Sequence, residues 1–301
     1  MFTLIHMSDV HLGPIEGFRW RYWNVKRGLG YINWHRGRVR LHRREVADRL
    51  AADALRQHAD HIAVTGDLAN IGLPAEYAAA TAWLSSLGDP DRVTVVPGNH
   101  DIYTARLHGA SCLDVWAPYM RGSDAVGASE PVRFPFVRRF GDVALIGLNS
   151  AIPTPVFSAM GRLGAPQLAE LGTCLARLKE AGLIRVVLIH HPPLPGQAPP
   201  RRALADAAAF GEVLEAEGAD LVLHGHNHRD TLVWRGEAPV LGIPSASTTR
   251  PHHDEPMARY RVLRIGREAG RVRIESETRG LAVEGGEVVS LDRQVLVRPQ
   301  S

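Results

Sequence analysis

Five stretches of this chain carry side chains of the kind that bind metal ions. They are Ser8-Asp9-Val10-His11, Gly66-Asp67, Gly98-Asn99-His100-Asp101, His190-His191 and Gly225-His226-Asn227-His228. Carboxylate oxygen, imidazole nitrogen and one amide oxygen suit hard-to-borderline divalent ions. No thiolate is among them, which argues against a structural zinc site. Asp9/His11 and His226/His228 are spaced i, i+2, which on extended backbone puts both side chains of a pair on one face. Gly66, Gly98 and Gly225 precede ligands, where glycine permits a tight turn and close backbone approach to an anion. Each motif alone is weak. Asp-x-His and His-x-His recur in ordinary turns and cores, and Gly-Asn-His-Asp could be a plain turn. His190-His191 before Pro192-Pro193 could be a strand end with a satisfied core histidine. The weight lies in their coincidence, because every motif directly follows an apolar run.

Those runs are the elements that must position the ligands. Residues 2–7, 61–65, 93–96, 186–189 and 221–223 read as buried strands. Helical periodicity marks residues 46–58, 75–87, 167–181 and 202–217. Strands alternating with helices imply an α/β fold, and the carboxyl ends of strands in such sheets converge on one crevice. The C-terminal strands at 231–234, 240–243, 260–265 and 272–277 have no helix between them. They suggest a second, more antiparallel sheet. No repeat or linker interrupts the chain, so residues 1–301 read as one domain.

The bulk composition fits a globular enzyme and narrows the partners. The chain has 301 residues, 45% of them hydrophobic, and a net charge of +3, too weak to argue globally for nucleic acid. No apolar run approaches the roughly 18 residues of a spanning helix, and the N-terminus lacks a secretory pattern. The two cysteines, Cys112 and Cys174, fit no metal-ligand spacing. A reduced, cytoplasmic protein is the expectation.

As an ordered set, Asp9-x-His11, Gly66-Asp67, Gly98-Asn99-His100-Asp101, His190 and Gly225-His226-x-His228 resemble the five motifs of the calcineurin-like metallophosphoesterases. The resemblance spans roughly residues 1–250 and is greatest to the smaller bacterial phosphodiesterase branch. It implies a four-layer α/β/β/α sandwich with two mixed β-sheets between helical layers. It further implies two divalent ions (Mn, Fe or Zn), one held by Asp9, His11 and His228, the other by Asn99, His190 and His226, with Asp67 bridging. It selects His190 over His191 as ligand and leaves His191 to line the substrate pocket. His100 and Asn99 would contact the phosphate, His100 would protonate the leaving oxygen, and Asp101 would orient His100. The implied reaction is hydrolysis of a phosphodiester by a metal-bridging hydroxide. A cyclic nucleotide or glycerophosphodiester is the expected substrate. A lipid-linked phosphate or diphosphate is the alternative, and a non-catalytic metal-binding scaffold is the alternative of another class.

One segment stands apart. Residues 16–44 hold nine Lys and Arg against one Glu, with six aromatics that include Trp20, Trp23 and Trp34. It shows no clear strand or helix of the core and reads as an insertion at the rim of the metal site. Basic side chains interleaved with Trp suit an anionic membrane surface, with a peripheral place at the inner membrane; single-stranded nucleic acid fits less well. A solvated insertion whose aromatics pack on the body is the plain alternative.

Overall fold

The computed structural model describes residues 1–104, 111–123 and 131–296. Its strands are β1 Phe2–Met7, β2 His61–Val64, β3 Val93–Val95, β4 Phe136–Phe140, β5 Val143–Gly147, β6 Ile184–Leu188, β7 Leu221–His224, β8 Thr231–Arg235, β9 Ala238–Gly242, β10 Arg259–Glu268, β11 Arg271–Leu281 and β12 Val288–Val295. The helices are α1 Val25–Asn33, α2 Val39–Leu41, α3 Arg44–Leu55, α4 Pro74–Leu87, α5 Cys112–Val115, α6 Ala165–Glu180 and α7 Ala207–Glu217.

The strands form two mixed sheets, in the orders β12-β11-β10-β1-β2-β3 and β4-β5-β6-β7-β9-β8. β1, β2 and β3 run parallel, as do β5, β6, β7 and β9. Strand periodicity explains the layering. In the second sheet Leu145, Val186, Leu188, Leu221 and Leu223 join a core shared with the first sheet, α3 and α4. Their neighbours Ala144, Ile146, Val187, Val222 and Val240 point the other way, onto α6 and α7. Two sheets face to face, each covered by helices, give the expected α/β/β/α sandwich.

The C-terminal strands do not make a sheet of their own. β8 and β9 extend the second sheet, whereas β10, β11 and β12 pair onto β1 in the first. The edge of β1 opposite β2 is the unsatisfied ladder that recruits them. The expected helix over 202–217 begins only at Ala207. The Asp206 carboxylate accepts from the backbone N–H groups of Leu163 and Gly164, 43 and 42 residues away in sequence.

Residues 16–44 also differ from expectation. They contain α1, whose Asn24 side chain caps it by accepting from Arg27 N–H at 2.8 Å. A π-helical turn over Trp34–Arg38 follows, then α2. Trp34 is buried in a small cluster with Ile15, Ile71 and Leu73. A Cβ on Gly13 would lie 2.5 Å from the Trp34 ring, so Gly13 is what lets that ring close on the body. Arg27 is buried and donates to the carbonyls of Ile71 and Gly72. Gly28, Gly30 and Gly37 weaken the helical signal in the sequence, and tertiary packing overrides them.

Candidate metal centre

The five motifs follow the carboxyl ends of β1, β2, β3, β6 and β7 and meet in space. The local backbone is not the extended one that the i, i+2 spacing suggested. Asp9, His11, Asp67, His226 and His228 have φ of 54°, 45°, 55°, 67° and 52°, in the left-handed region that non-glycine residues seldom enter. Left-handed turns just past the strand ends aim these side chains inward. The β1 and β2 loops are laced together by Asp9 N–H to Gly66 O and His11 N–H to Asp67 O, both 2.9 Å. Crowding requires glycine at Gly66, Gly98 and Gly225, and a Cβ on the first would lie 2.5 Å from Gly98 N. A Cβ on Gly98 would sit 2.2 Å from Asp67 Oδ1, and one on Gly225 would sit 2.4 Å from Asp9 Oδ2.

Hydrogen bonds fix which nitrogen of each imidazole faces the centre. His190 Nδ1 donates to Thr65 O at 2.7 Å, so its Nε2 lone pair points inward. There it lies 3.4 Å from Asp67 Oδ2, 3.2 Å from Asn99 Oδ1 and 3.2 Å from His226 Nδ1. His228 Nδ1 is held by Glu255 Oε2 at 2.8 Å, leaving Nε2 at 3.1 Å from Asp9 Oδ1. His11 Nδ1 faces Ala69 O at 3.3 Å, and its Nε2 is 3.4 Å from His228 Nε2. Asp67 Oδ2 lies between the groups, 3.4 Å from His190 Nε2 and 3.9 Å from His11 Nε2. An outer carbonyl or carboxylate on one ring nitrogen, with the other turned inward, is the usual arrangement around a metal-ligating histidine.

This donor set fits divalent cations. Facing imidazole lone pairs beside buried carboxylates repel unless protons or cations fill the space between them. His226 Nε2 is buried without a hydrogen-bond partner. In the metal-free protein, protons take the cations' place. Burial opposes charging of His190, but Asp67 and Asp9 outweigh it and lift the imidazole to about 9. Burial likewise opposes charging of His228, and Asp9 with Glu255 lifts it to about 9. Both carboxylates resist burial and are held low, Asp9 chiefly by His228 and Asp67 chiefly by His190.

Two expectations need correction. Asp101 does not touch the His100 ring. Its carboxylate accepts from the backbone N–H groups of Asp67, Ala69 and Gly98 at 2.8, 2.9 and 2.9 Å. His100 is held instead by Asn70 O, which accepts from its Nδ1–H. The loop carrying Asn70 is itself gripped by buried Glu76, which accepts from Asn70 N–H at 2.7 Å and Leu73 N–H at 2.9 Å. Nor does His191 line the pocket. It is fully buried, with Nδ1 at 2.8 Å from Ser150 Oγ and Nε2 at 3.2 Å from Ala159 O. It lies within reach of His190 and His226, but its nitrogens are held by Ser150 and Ala159, whereas His190 Nε2 faces Asp67 and Asn99.

A cavity of about 350 Å³ opens over the cluster, lined by His11, Asp67, Asn99 and His100. Several of its residues were invisible to sequence reasoning. Arg38, at the end of the π turn, reaches from the insertion to 3.0 Å from His11 Nε2 and 3.3 Å from His100 Nε2. Arg202 Nη2 donates to His226 O at 2.9 Å on another wall. His42 packs its ring 4.7 Å from that of His11, and Glu255 braces His228.

Sheet order, strand-end donors and an inward-facing His/Asp cluster together define an α/β/β/α protein with groups that could hold metal ions. The chain belongs to the calcineurin-like phosphoesterase family, whose family model matches residues 2–230. It is 27% identical over 269 residues to a glycerophosphodiester phosphodiesterase of Enterobacter lignolyticus, covering 83% of this chain and 82% of that protein. It is 30% identical over 251 residues to a cAMP/cGMP dual specificity phosphodiesterase of Mycobacterium tuberculosis, covering 81% of this chain and 65% of that one. Among solved structures, a dimetal phosphatase from Danio rerio superposes with a TM-score of 0.59 at 16% identity, covering 96% of this chain and 98% of that one, a likeness of fold. Among the described residues, no helix is long and apolar enough to cross a membrane.

Proposed function

We propose that this protein is a dinuclear phosphodiesterase acting on a small phosphodiester of the glycerophosphodiester or cyclic-nucleotide kind. The observation that carries the reading is the pair of inward-facing ligand groups that share Asp67. One ion would be held by Asp9, His11 and His228, the other by Asn99, His190 and His226. Mn, Fe or Zn in these positions supplies Lewis-acid chemistry, offsetting phosphate charge and acidifying water.

The remaining work falls to the protein's own side chains. His100 presents Nε2 to the cavity because Asn70 O holds Nδ1. A proton on Nε2 is then placed for the leaving oxygen. Burial keeps the free imidazole neutral, with a pKa of about 4 despite Asp67. An arriving phosphate, being negative, raises that value and favours the protonated acid. Asp101 acts as a positioning residue through the backbone of the Asp67 and Gly98 turns. Arg38, with two donors over the cluster, would take a non-bridging phosphate oxygen. The two relatives named above support the substrate class. We also take the chain as one domain, since both sheets pack into one core.

A second reading concerns the insertion. Trp20 and Trp23 are 90% and 61% exposed, which supports contact with an anionic membrane surface, although Trp34 is buried and takes no part. Salt-sensitive co-sedimentation with anionic vesicles tests it, and a protein that ignores such vesicles at low salt refutes it. Catalysis itself is tested with Asp67→Asn. The variant should stay folded, lose metal and stop hydrolysing bis(p-nitrophenyl) phosphate. Full metal content with full turnover would remove Asp67 from the centre.

A further inference from the structure

Beside the metal cavity runs a larger groove of about 540 Å³, between α1 and the loop at Val156–Ala159. The two spaces share Asn33, Asn99, His100, Ala159 and Arg202, so the groove begins where a leaving group would meet His100. On its α1 wall stand Leu29 and, three and four residues on, Ile32 and Asn33, with Arg36 following on the π turn. An amphipathic helix normally buries its apolar face in the core. Here Leu29 and Ile32 remain 41% and 46% exposed, and α1 buries only Arg27. Phe157 stands on the loop wall at 80% exposure. The two walls are tied together. Lys26 Nζ donates to Thr154 O at 3.0 Å and Thr154 Oγ1 at 2.7 Å, and lies 4.5 Å over the Tyr103 ring. The groove is therefore a fixed feature, continuous with the reaction centre and bordered by Arg36 and Arg202.

We propose that this groove is the leaving-group subsite and that it takes the alkyl or acyl chain of an amphiphilic phosphoester. The inference rests on the phosphodiesterase reading and narrows its substrate class. The phosphate sits over the ligand cluster, the arginines meet its charge, and the hydrocarbon lies along Leu29, Ile32 and Phe157. A nucleobase fits less well, because the apolar lining of Leu29, Ile32, Val156 and Phe157 outweighs the polar Asn33 and Ser158 that its edge would use.

The test is calorimetric binding of n-alkyl phosphates, from ethyl to octyl and below micelle-forming concentrations, to the Mn-loaded protein. Each methylene group that enters the groove should lower Kd by about two- to fourfold. The double substitution Leu29→Ser with Ile32→Ser should flatten that dependence, which is read as a slope within each protein. A Kd independent of chain length in the wild type overturns the proposal. So does an equal slope in both proteins, which places the chain elsewhere. Adenosine 5′-monophosphate is titrated in parallel. If its binding weakens in the double variant while the alkyl slope is unchanged, the subsite is for a base and the proposal fails. Turnover of ethyl p-nitrophenyl phosphate is measured separately. A preserved chain-length slope with no turnover would sink the enzymatic reading and leave the groove standing.

Discussion

Removing the Arg38 side chain should weaken catalysis without weakening metal binding. Its guanidinium donates to two neutral imidazole nitrogens, His11 Nε2 at 3.0 Å and His100 Nε2 at 3.3 Å. Burial disfavours its charge, and Asp67 is the largest of the opposing influences. With an ion held by His11, that lone pair would be unavailable to Arg38, whose donor would be free for whatever occupies the cavity. A hydrogen bond to a charged group contributes about 1.5–3 kcal/mol. One guanidinium–phosphate bond lost with the side chain is therefore worth about 1.5–3 kcal/mol, or roughly 10- to 160-fold in kcat/KM. Arg38→Ala should lose that factor on a phosphodiester substrate, while elemental analysis finds as much metal as in the wild type. Arg38→Lys should recover only part of it, because an ammonium keeps the charge but not the fork. Two results would refute the reasoning. Arg38→Ala with kcat/KM within twofold of wild type would mean that the guanidinium never meets substrate. Loss of metal in the same variant would mean that its role is to hold His11.

Other predictions follow from the same geometry. His190→Ala should lose metal, whereas His191→Ala should keep it and lose about 2–4 kcal/mol of stability, since it leaves a cavity and an unpaired Ser150; metal loss in the His191 variant alone would reverse the assignment. His100→Ala should retain metal and lose about 10²–10⁴-fold in kcat for alkyl leaving groups but less for nitrophenolate, which needs no proton; equal losses would count against proton donation. In the metal-free protein His190 and His228 titrate near 9, above the ordinary histidine value, so their pairing stabilises the fold fully below about pH 6.5 and is lost as pH rises through 9. Tm of the chelated protein should therefore fall from pH 6.5 to 9, and Mn should abolish the fall by displacing those protons; the same slope with and without Mn would contradict the ligand assignment.

The candidate ligands were legible because few residue types bind hard cations and because each followed an apolar run. The surroundings were less so. Strand β4 reads Phe-Val-Arg-Arg-Phe, and its charge hides it, yet Arg138 is buried and donates to the carbonyls of Pro118, Arg121 and Val93. No local signal separates that arginine from a surface one. Arg38 was hidden for a similar reason, as one of nine cations in residues 16–44. Its position depends on Trp34 docking on Gly13, which no periodicity records. Glu255 lies 27 residues beyond the histidine it braces. It could have been found only by knowing that β10 returns to pair with β1.

The left-handed backbone of the ligand residues shows what the scaffold contributes beyond bringing strand ends together. Such a conformation costs a non-glycine residue on the order of 1 kcal/mol or more and persists only where its surroundings over-determine it. Here the surroundings are explicit. Asp9 is fixed by Gly66 O on its N–H, by Ser245 Oγ on its carbonyl at 2.7 Å, and by His226 N–H on Oδ2 at 2.9 Å. Asp67 is fixed by Asp101 on its own N–H and by His100 N–H at 2.7 Å on Oδ1. These bonds are made by the protein itself and hold the turns that carry Asp9 and Asp67. That arrangement also explains why Asp101, with no contact to the His100 ring, sits at a fully buried position between two ligand turns. It spends its carboxylate on three backbone donors. Replacing it would loosen the turns that carry Asp67 and Asn99 together, affecting both groups of ligands at once.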